Sequence, residues 1–469
     1  MKGRQCQRLL WFAHQKRLPD PSIADQHKFD QGYTFESHVK KLFPHCVELG
    51  QLPFNDNITK TKTLTQSCTS MFEAGFHTGS LYVRADILEY DDGWNLYEIK
   101  ASSDNKKLDL YSVDLAFQKY VIEQCGVTIN KCYVLKLNKE YVKQGPIDPV
   151  HLVEKNDVTE NVELIDGIEE QAQRFLQTIQ QPDEAPITIS VNCNKPYTCP
   201  LKTHCWGTLP EDNVLHLTNW RQYWKFFHDG IIDMNDIPNV ELKPQDEVIK
   251  KAALGKQVVY NKEGIQSFLK TLQYPLYHLD FETFDTAVPI YDNSSPYQKI
   301  VYQYSLHIEH QDGSIDHHEF LADGTQDPRV KLLDSLKQVI RGTGSVVVFN
   351  QAFEKSVLTK LGKDFPEHNE WIQETLNRII DLAVPFRNFH YYCSSQKGSY
   401  SIKKVLPAIT GEGYDNLEIN NGADASVQYY ESHIKHKNPD EKLRKDMLDY
   451  CGMDTMAMVR IIQELKKLV

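Results

Sequence analysis

The 469-residue sequence has no run of about 18 or more apolar residues, so it contains no segment of membrane-spanning length. Its opening stretch, MKGRQCQRLLWFAHQKR, is basic but lacks the apolar core of a signal peptide, which points to the cytoplasm. No internal repeat and no low-complexity segment is present, which sets aside solenoids and disordered tails. Basic charge is also scarce: 52 Lys and Arg stand against 64 Asp and Glu, for a net charge of −12. That balance excludes a protein coated in basic surface. Three local basic stretches remain, at residues 2–17, 100–107 and 397–404, each able to meet phosphates. A solvated face is the commoner meaning of any one such run.

What is present is ordinary globular material, with 41% hydrophobic and 25% charged residues. The length is too great for one core and predicts two or three domains. The motifs below divide the chain into residues 1–212, a helical linker at 213–272 and residues 273–469. The linker is set apart by its composition, with TNWRQYWKFFHDGIIDMNDIPNV aromatic and amphipathic, suited to packing between domains.

The chain is organised around YPLYHLDFETF. Leu276, Tyr277 and Leu279 predict a buried strand, with Asp280 and Glu282 at its far end. Residues two apart on a strand share a face, so these carboxylates repel unless a divalent cation lies between them. Val346 opens an apolar strand followed by Asn350, Phe353, Glu354 and Leu358 at helical spacing. DMLDYCGMDTMAMVRII predicts a helix with Tyr450 and Asp454 four residues apart on one face. Between these lie Asp381 and GSYSIKKVLP, where Lys403 or Lys404 could steady a phosphate.

Strand Asp-x-Glu, helix acid and helix Tyr-x-x-x-Asp, in that order, resemble the DnaQ-like DEDDy exonucleases, whose fold is RNase H-like. The resemblance covers about residues 270–469. It implies Mg²⁺ or Mn²⁺ held by Asp280, Glu282, Glu354 and Asp454, Tyr450 orienting the attacking water, and 3′→5′ polarity. One departure stands out: those enzymes usually carry Asp where this chain has Glu354.

Ten cysteines in a chain without secretory features call for a metal or redox reading before disulfides. Cys193, Cys199 and Cys205 cluster in CNKPYTCPLKTHC, whose prolines predict a loop, and Cys6 is the natural fourth ligand. Thiolates suit an iron–sulphur cluster or zinc, and His204 keeps zinc open. Cys46, Cys68, Cys125, Cys132, Cys393 and Cys451 read as core or incidental thiols.

Between the two ends of this cysteine frame lies a second acidic group. LYVRADILEY predicts a strand in which Asp86 breaks an apolar face; Asp91, Asp92 and Gly93 turn the chain, and NLYEIKAS returns as a second strand. Glu98 and Lys100 project to one side of it. Asp86 and Glu98 could hold a metal while Lys100 orients water or offsets phosphate charge.

With its frame of one early and three late cysteines, this pattern resembles the RecB-like PD-(D/E)XK nucleases that carry a four-iron, four-sulphur cluster. The resemblance covers about residues 1–210. It implies a further ligand from GYTFESHVKKLF, Glu36 with His38 as rival, and a glutamine on the next helix, matched by Gln118. The tyrosine usual four residues later is replaced by Ile122, and shifting the match one turn would put Asp114 in the glutamine's place. The cluster is expected to pin the start of the domain to its end. Both halves together resemble an uncharacterised bacterial family that fuses these two nuclease-like domains.

The sequence thus predicts an α/β metal-dependent nuclease acting on nucleic acid, DNA favoured over RNA, with an exonuclease centre and a PD-(D/E)XK centre and no membrane partner. The rival is a catalytically idle nucleic-acid-binding or iron–sulphur redox-sensing protein.

Overall fold

The computed structural model describes all of residues 1–469, as a mixed α/β chain in two compact units. The first comprises residues 1–207 and 286–298, the second residues 208–285 and 299–469.

The first unit is built on a six-stranded sheet whose strands lie in chain order: β1 (Val47–Glu48), β2 (Met71–Thr78), β3 (Leu81–Tyr90), β4 (Trp94–Lys100), β5 (Ile129–Leu137) and β6 (Val153–Asp157). Strands β2, β3 and β4 form an antiparallel meander, and β4 pairs parallel with β5. A parallel neighbour demands a crossover. Helix α2 (Leu108–Gln124) supplies it, burying Tyr111, Leu115, Ala116, Val121 and Ile122 against the sheet. Helix α1 (Ile23–Val39) precedes the sheet; its Phe35 and Val39 join Tyr97, Tyr133 and Leu135 in a second core layer. Segment 286–298 adds Ala287 and Val288 to that layer, and Gln31 Oε1 accepts the Ala287 N–H at 2.8 Å.

In the second unit, residues 213–272, expected as a linker, have a small core of their own. Phe226, Met234, Ile237, Ile249 and Ala252 pack there with Tyr392. Strand β7 (Val259–Tyr260) pairs outside the main sheet with a later strand. The main sheet comprises β8 (Leu276–Phe284), β9 (Ile300–Glu309), β10 (Ile315–Leu321), β11 (Val346–Val348) and β12 (Ile379–Asp381), in the order β10-β9-β8-β11-β12. Pairings β10–β9 and β9–β8 are antiparallel, β8–β11 and β11–β12 parallel. Strand β8 is central and buried on both faces, as its near-continuous apolar start requires. Strand β13 (Tyr391–Tyr392) is the partner of β7.

Four helices place the chemistry of this unit: α3 (Ala352–Asp364), α4 (Ile402–Thr410), α5 (Gly422–Tyr429) and α6 (Glu441–Lys467). In α6, Met447, Tyr450, Cys451, Asp454, Met458, Ile461, Ile462 and Leu465 recur at three- and four-residue intervals and are buried. Asp440 caps it, accepting the Leu443 N–H at 2.6 Å. Each buried Ile, Leu or Met contributes about 1.5–3 kcal/mol, so the apolar stripe holds the helix on the sheet despite the polar groups it carries. No helix of the structure is long and apolar enough to cross a membrane.

One glycine fixes the entry to β11. Gly344 has φ +110°, and a Cβ there would lie 2.3 Å from the Pro275 carbonyl oxygen. Gly344→Ala is therefore expected to destabilise the second unit by about 2 kcal/mol or more, seen as a lower urea midpoint with unchanged slope.

Candidate active sites

In the second unit β8 runs through both acids rather than ending before them. Asp280 and Glu282 extend from one face, and α6 lies over that face with Cys451 in line. The ligand atoms of Asp280, Glu282 and Cys451 all fall within 4.8 Å of one another. Cys451 Sγ stands 3.6 Å from Asp280 Oδ2. Glu354 enters from α3, where the chain turns sharply after β11. Asn350 takes φ +70° and donates its N–H to Asp381 Oδ1 at 2.9 Å, while Ala383 N–H donates to the same oxygen at 3.0 Å. Asp381, in ion pair with Arg387 at 3.1 Å, is thus committed to shaping the turn.

Asp454 completes the set from one turn further along α6. Its Oδ1 accepts the Tyr414 hydroxyl at 2.6 Å, and Tyr450 lies within hydrogen-bonding reach of it. Lys403 of α4 donates to the Tyr450 oxygen at 3.0 Å and to the Asn420 carbonyl at 2.5 Å. Lys404 is exposed, so of the two lysines Lys403 is the one at the site. Gly422, at the start of α5, borders the site: a Cβ there would lie 3.4 Å from Glu282 Oε2 and 3.7 Å from the Tyr450 oxygen.

The electrostatics follow from crowding. Burial, then Asp454, Glu282 and Glu354 in turn, push the Asp280 carboxyl far above the usual range. Burial and Asp454 raise Glu282 likewise. Burial, helped by Asp381, lifts Glu354 to about 8, and its Oε2 is buried without a hydrogen-bond partner. Burial raises Asp454 too, against the Tyr414 hydrogen bond. Four acids that resist ionisation together, one with an orphaned oxygen, have the chemistry of a divalent-cation site.

In the first unit, β3 and β4 place Asp86 opposite Glu98, continuing the pairing of Ile87 with Tyr97. Asp86 Oδ2 accepts the Ile99 N–H at 2.7 Å. Glu98, 6% exposed, receives Lys100 Nζ at 2.5 Å and Gln118 Nε2 at 2.6 Å. Asp114 instead faces Lys100 at 3.9 Å, so Gln118, not Asp114, takes the place beside Glu98. Burial, then Glu98, raises the Asp86 carboxyl well above its ordinary value. Burial is the largest single influence on the Lys100 ammonium and lowers its pKa, but Glu98, Asp86 and Asp114 together outweigh it and the net shift is upward. Gln118 Oε1 is buried with no partner.

Glu36 reaches the edge of this group: it pairs with Lys40 at 2.9 Å and helps raise Glu73, which in turn adds to the charge around Asp86. His38 lies about 200° further round α1, where burial lowers its pKa and Nδ1 has no partner; it is not part of the site. Glu73 escaped the sequence reading. It stands opposite Asp86 at φ +56°, strained for a residue other than glycine, and pairs with Arg84 at 2.5 Å. Nothing in its surroundings, MFEAGF, marks it. Cys451 and Tyr414 were missed as well. Cys451 reads from sequence as a core or incidental thiol; it is indeed buried, but its spacing of three from Asp454 was a usable signal that it also faces the acids.

The four predicted cysteines come together. Cys6, Cys193, Cys199 and Cys205 line one small cavity with Gln5 and Arg8. Cys6 sits at the break between helices Lys2–Gln5 and Gln7–His14. Cys205 lies on a short helix, Lys202–Trp206, where a loop was expected. Burial raises the thiols of Cys199 and Cys205, with the other cysteines adding to it. His204 is exposed and does not line the cavity, which removes the argument for zinc that rested on it.

Residues 277–401 match a family model described as a domain of unknown function, DUF2779. That span includes Asp280, Glu282 and Glu354 and stops short of Tyr450 and Asp454. Among curated proteins, an uncharacterised protein of Mycoplasma genitalium is 28% identical over 41% of this chain and 32% of its own length. One of Ureaplasma parvum is 27% identical over 45% and 34%. One of Mycoplasma pneumoniae is 26% identical over 43% and 34%. The chain spans about a third of the length of these relatives. No solved structure matches.

A carboxyl whose pKa is higher folded than unfolded favours the folded state below the unfolded value and loses that advantage as pH rises through the folded one. With Glu354 near 8 and Asp280 and Glu282 also raised, the cation-free second unit is expected to lose thermal stability between about pH 4.5 and 8. Added Mn²⁺ should abolish that decline, because a bound cation substitutes for the protons. Calorimetry in EDTA and in Mn²⁺ across this range measures both.

Proposed function

We propose that the chain is a metal-dependent nuclease with two phosphodiester-cleaving centres. The observation that carries this reading is the convergence of Asp280, Glu282, Glu354 and Asp454, from one strand and two helices, beside Tyr450 and Lys403. The strand order β10-β9-β8-β11-β12, antiparallel on one side of β8 and parallel on the other, supports an RNase H-like exonuclease domain. The β2–β3–β4 meander with its parallel crossover to β5 supports a PD-(D/E)XK domain.

In the second unit the four carboxylates would hold Mg²⁺ or Mn²⁺; such ions lower the pKa of an attacking water and stabilise the leaving oxygen. The phenol of Tyr450, fixed by Lys403 and by Asp454, orients that water. Lys403 places a positive charge where the scissile phosphate would lie. The expected direction is 3′→5′, on DNA in preference to RNA.

In the first unit Asp86 and Glu98, with Glu36 and Glu73 nearby, would hold the cation. Lys100 orients water and offsets phosphate charge, and Gln118 fixes Glu98 while its Oε1 can accept a hydrogen bond from that water. The four cysteines would hold a four-iron, four-sulphur cluster, closing a loop of nearly the whole unit. Closing so long a loop removes much chain entropy from the unfolded state.

Labelled single-stranded DNA incubated with Mn²⁺ should be shortened, and EDTA should stop this. Asp280→Asn should abolish nucleotide release from 3′ ends by at least about 1,000-fold in rate, and Lys100→Ala should remove a separable activity. Undiminished cleavage by an Asp280→Asn, Asp454→Asn, Lys100→Ala protein would refute the assignment of these centres, and no cleavage by the unaltered protein would leave an idle binding or redox-sensing protein.

Anaerobic purification should give a brown protein. Cys193→Ser should bleach it and lower the unfolding temperature of the first unit.

A further inference from the structure

The acids and Lys100 of the first unit do not explain what its neighbouring surface is for. The turn Lys2–Gln5 folds back beside them. Met1 N lies 3.8 Å from Asp114 Oδ1, and Asp114 Oδ2 lies 3.9 Å from Lys100 Nζ. This turn is clamped to the cysteine loop: Gln5 Nε2 donates to the carbonyl oxygens of Asn192 at 2.8 Å and Tyr197 at 2.6 Å. Gly3 sits so close to Phe175 that a Cβ would meet its ring at 2.8 Å. The clamp leaves Arg4 exposed, and Arg4 is near enough to bear on Asp114.

On the loop side Tyr197 is 51% exposed, between Cys193 and Cys199, with Lys107 Nζ at 5.9 Å from its ring centre. Lys100 Nζ lies 5.6 Å from the ring of buried Tyr111, whose hydroxyl feels both Tyr197 and Lys100. An exposed aromatic flanked by a lysine and an arginine, beside a charged catalytic lysine, has the composition of a single-strand platform. Base stacking supplies affinity without sequence choice, and the cations follow the backbone.

Resting on the nuclease reading above, we propose that Arg4, Lys107 and Tyr197 form a rim that grips single-stranded nucleic acid, Tyr197 stacking on a base and Arg4 and Lys107 contacting phosphates, and so feeds the Asp86–Glu98–Lys100 centre. The partner is set by charge complementarity, because the rim is basic within a chain of net charge −12.

The test uses the full chain with a fluorescent oligothymidine in EDTA, so that binding is read without cleavage. Every protein carries Asp280→Asn and Asp454→Asn. Tyr197→Ala should weaken binding roughly 5- to 100-fold with an unchanged salt slope, and Tyr197→Phe should bind as the parent does. Arg4→Glu with Lys107→Glu should weaken it and lower the slope of log K against log salt by about 1.4, about 0.7 for each phosphate lost. Circular dichroism and the brown colour verify that each variant is folded. Parent-like binding by both variants would overturn the rim, as would equal losses on a blunt duplex, since a duplex offers no free base to stack. If the protein with both centres intact cleaved nothing under Mn²⁺, the nuclease reading itself would fall. Cleavage by that protein alongside parent-like binding by the variants would remove the rim alone.

Discussion

Repulsion between buried carboxylates is the constraint around which the second unit is built. Two unit charges 4.8 Å apart interact by roughly 3.5 kcal/mol at an effective dielectric near 20, and this site holds four acids. One lysine, Lys403, held by Tyr450 and Asn420, offsets only part of this by lowering Glu282 and Asp454 against the larger effect of burial. The fold relies on the apolar stripe of α6 and the double burial of β8 to hold the acids together, and their carboxyl pKa values rise in response.

The first unit solves a similar problem differently. Asp86 is hydrogen-bonded to the backbone of Ile99, and Glu98 is paired with Lys100 and held by Gln118. Each acid has a hydrogen-bond partner, and the backbone at Glu73 beside them is strained at φ +56°.

Much of this was legible in the chain. Apolar alternation located β3, short apolar runs located β4 and β8, which are buried on both faces, and period-3.6 spacing located α6, whose apolar residues form one buried stripe. Pairs close in sequence, Asp280 with Glu282 and Tyr450 with Asp454, could be assigned to common faces. Groups that reach a site from isolated positions could not be. Tyr414 arrives from a loop, Glu73 from an irregular strand position, and Cys451 resembled the other buried thiols until α6 was laid on β8. The linker reading of residues 213–272 took an aromatic, amphipathic composition as a sign of packing between domains. Those side chains instead bury one another, with Tyr392 far along the chain closing their core.

Segment 286–298 counts with the first unit although it follows β8 of the second. A ribosome therefore releases the last piece of the first unit only after it has already made the strand bearing Asp280 and Glu282. Gln31 waits through more than half of translation for the Ala287 amide it will accept. The first unit matures late, and its final stitch comes from a chain already committed to the second. Vectorial synthesis, which ordinarily lets domains fold one after another, here ties the completion of one unit to the emergence of the other.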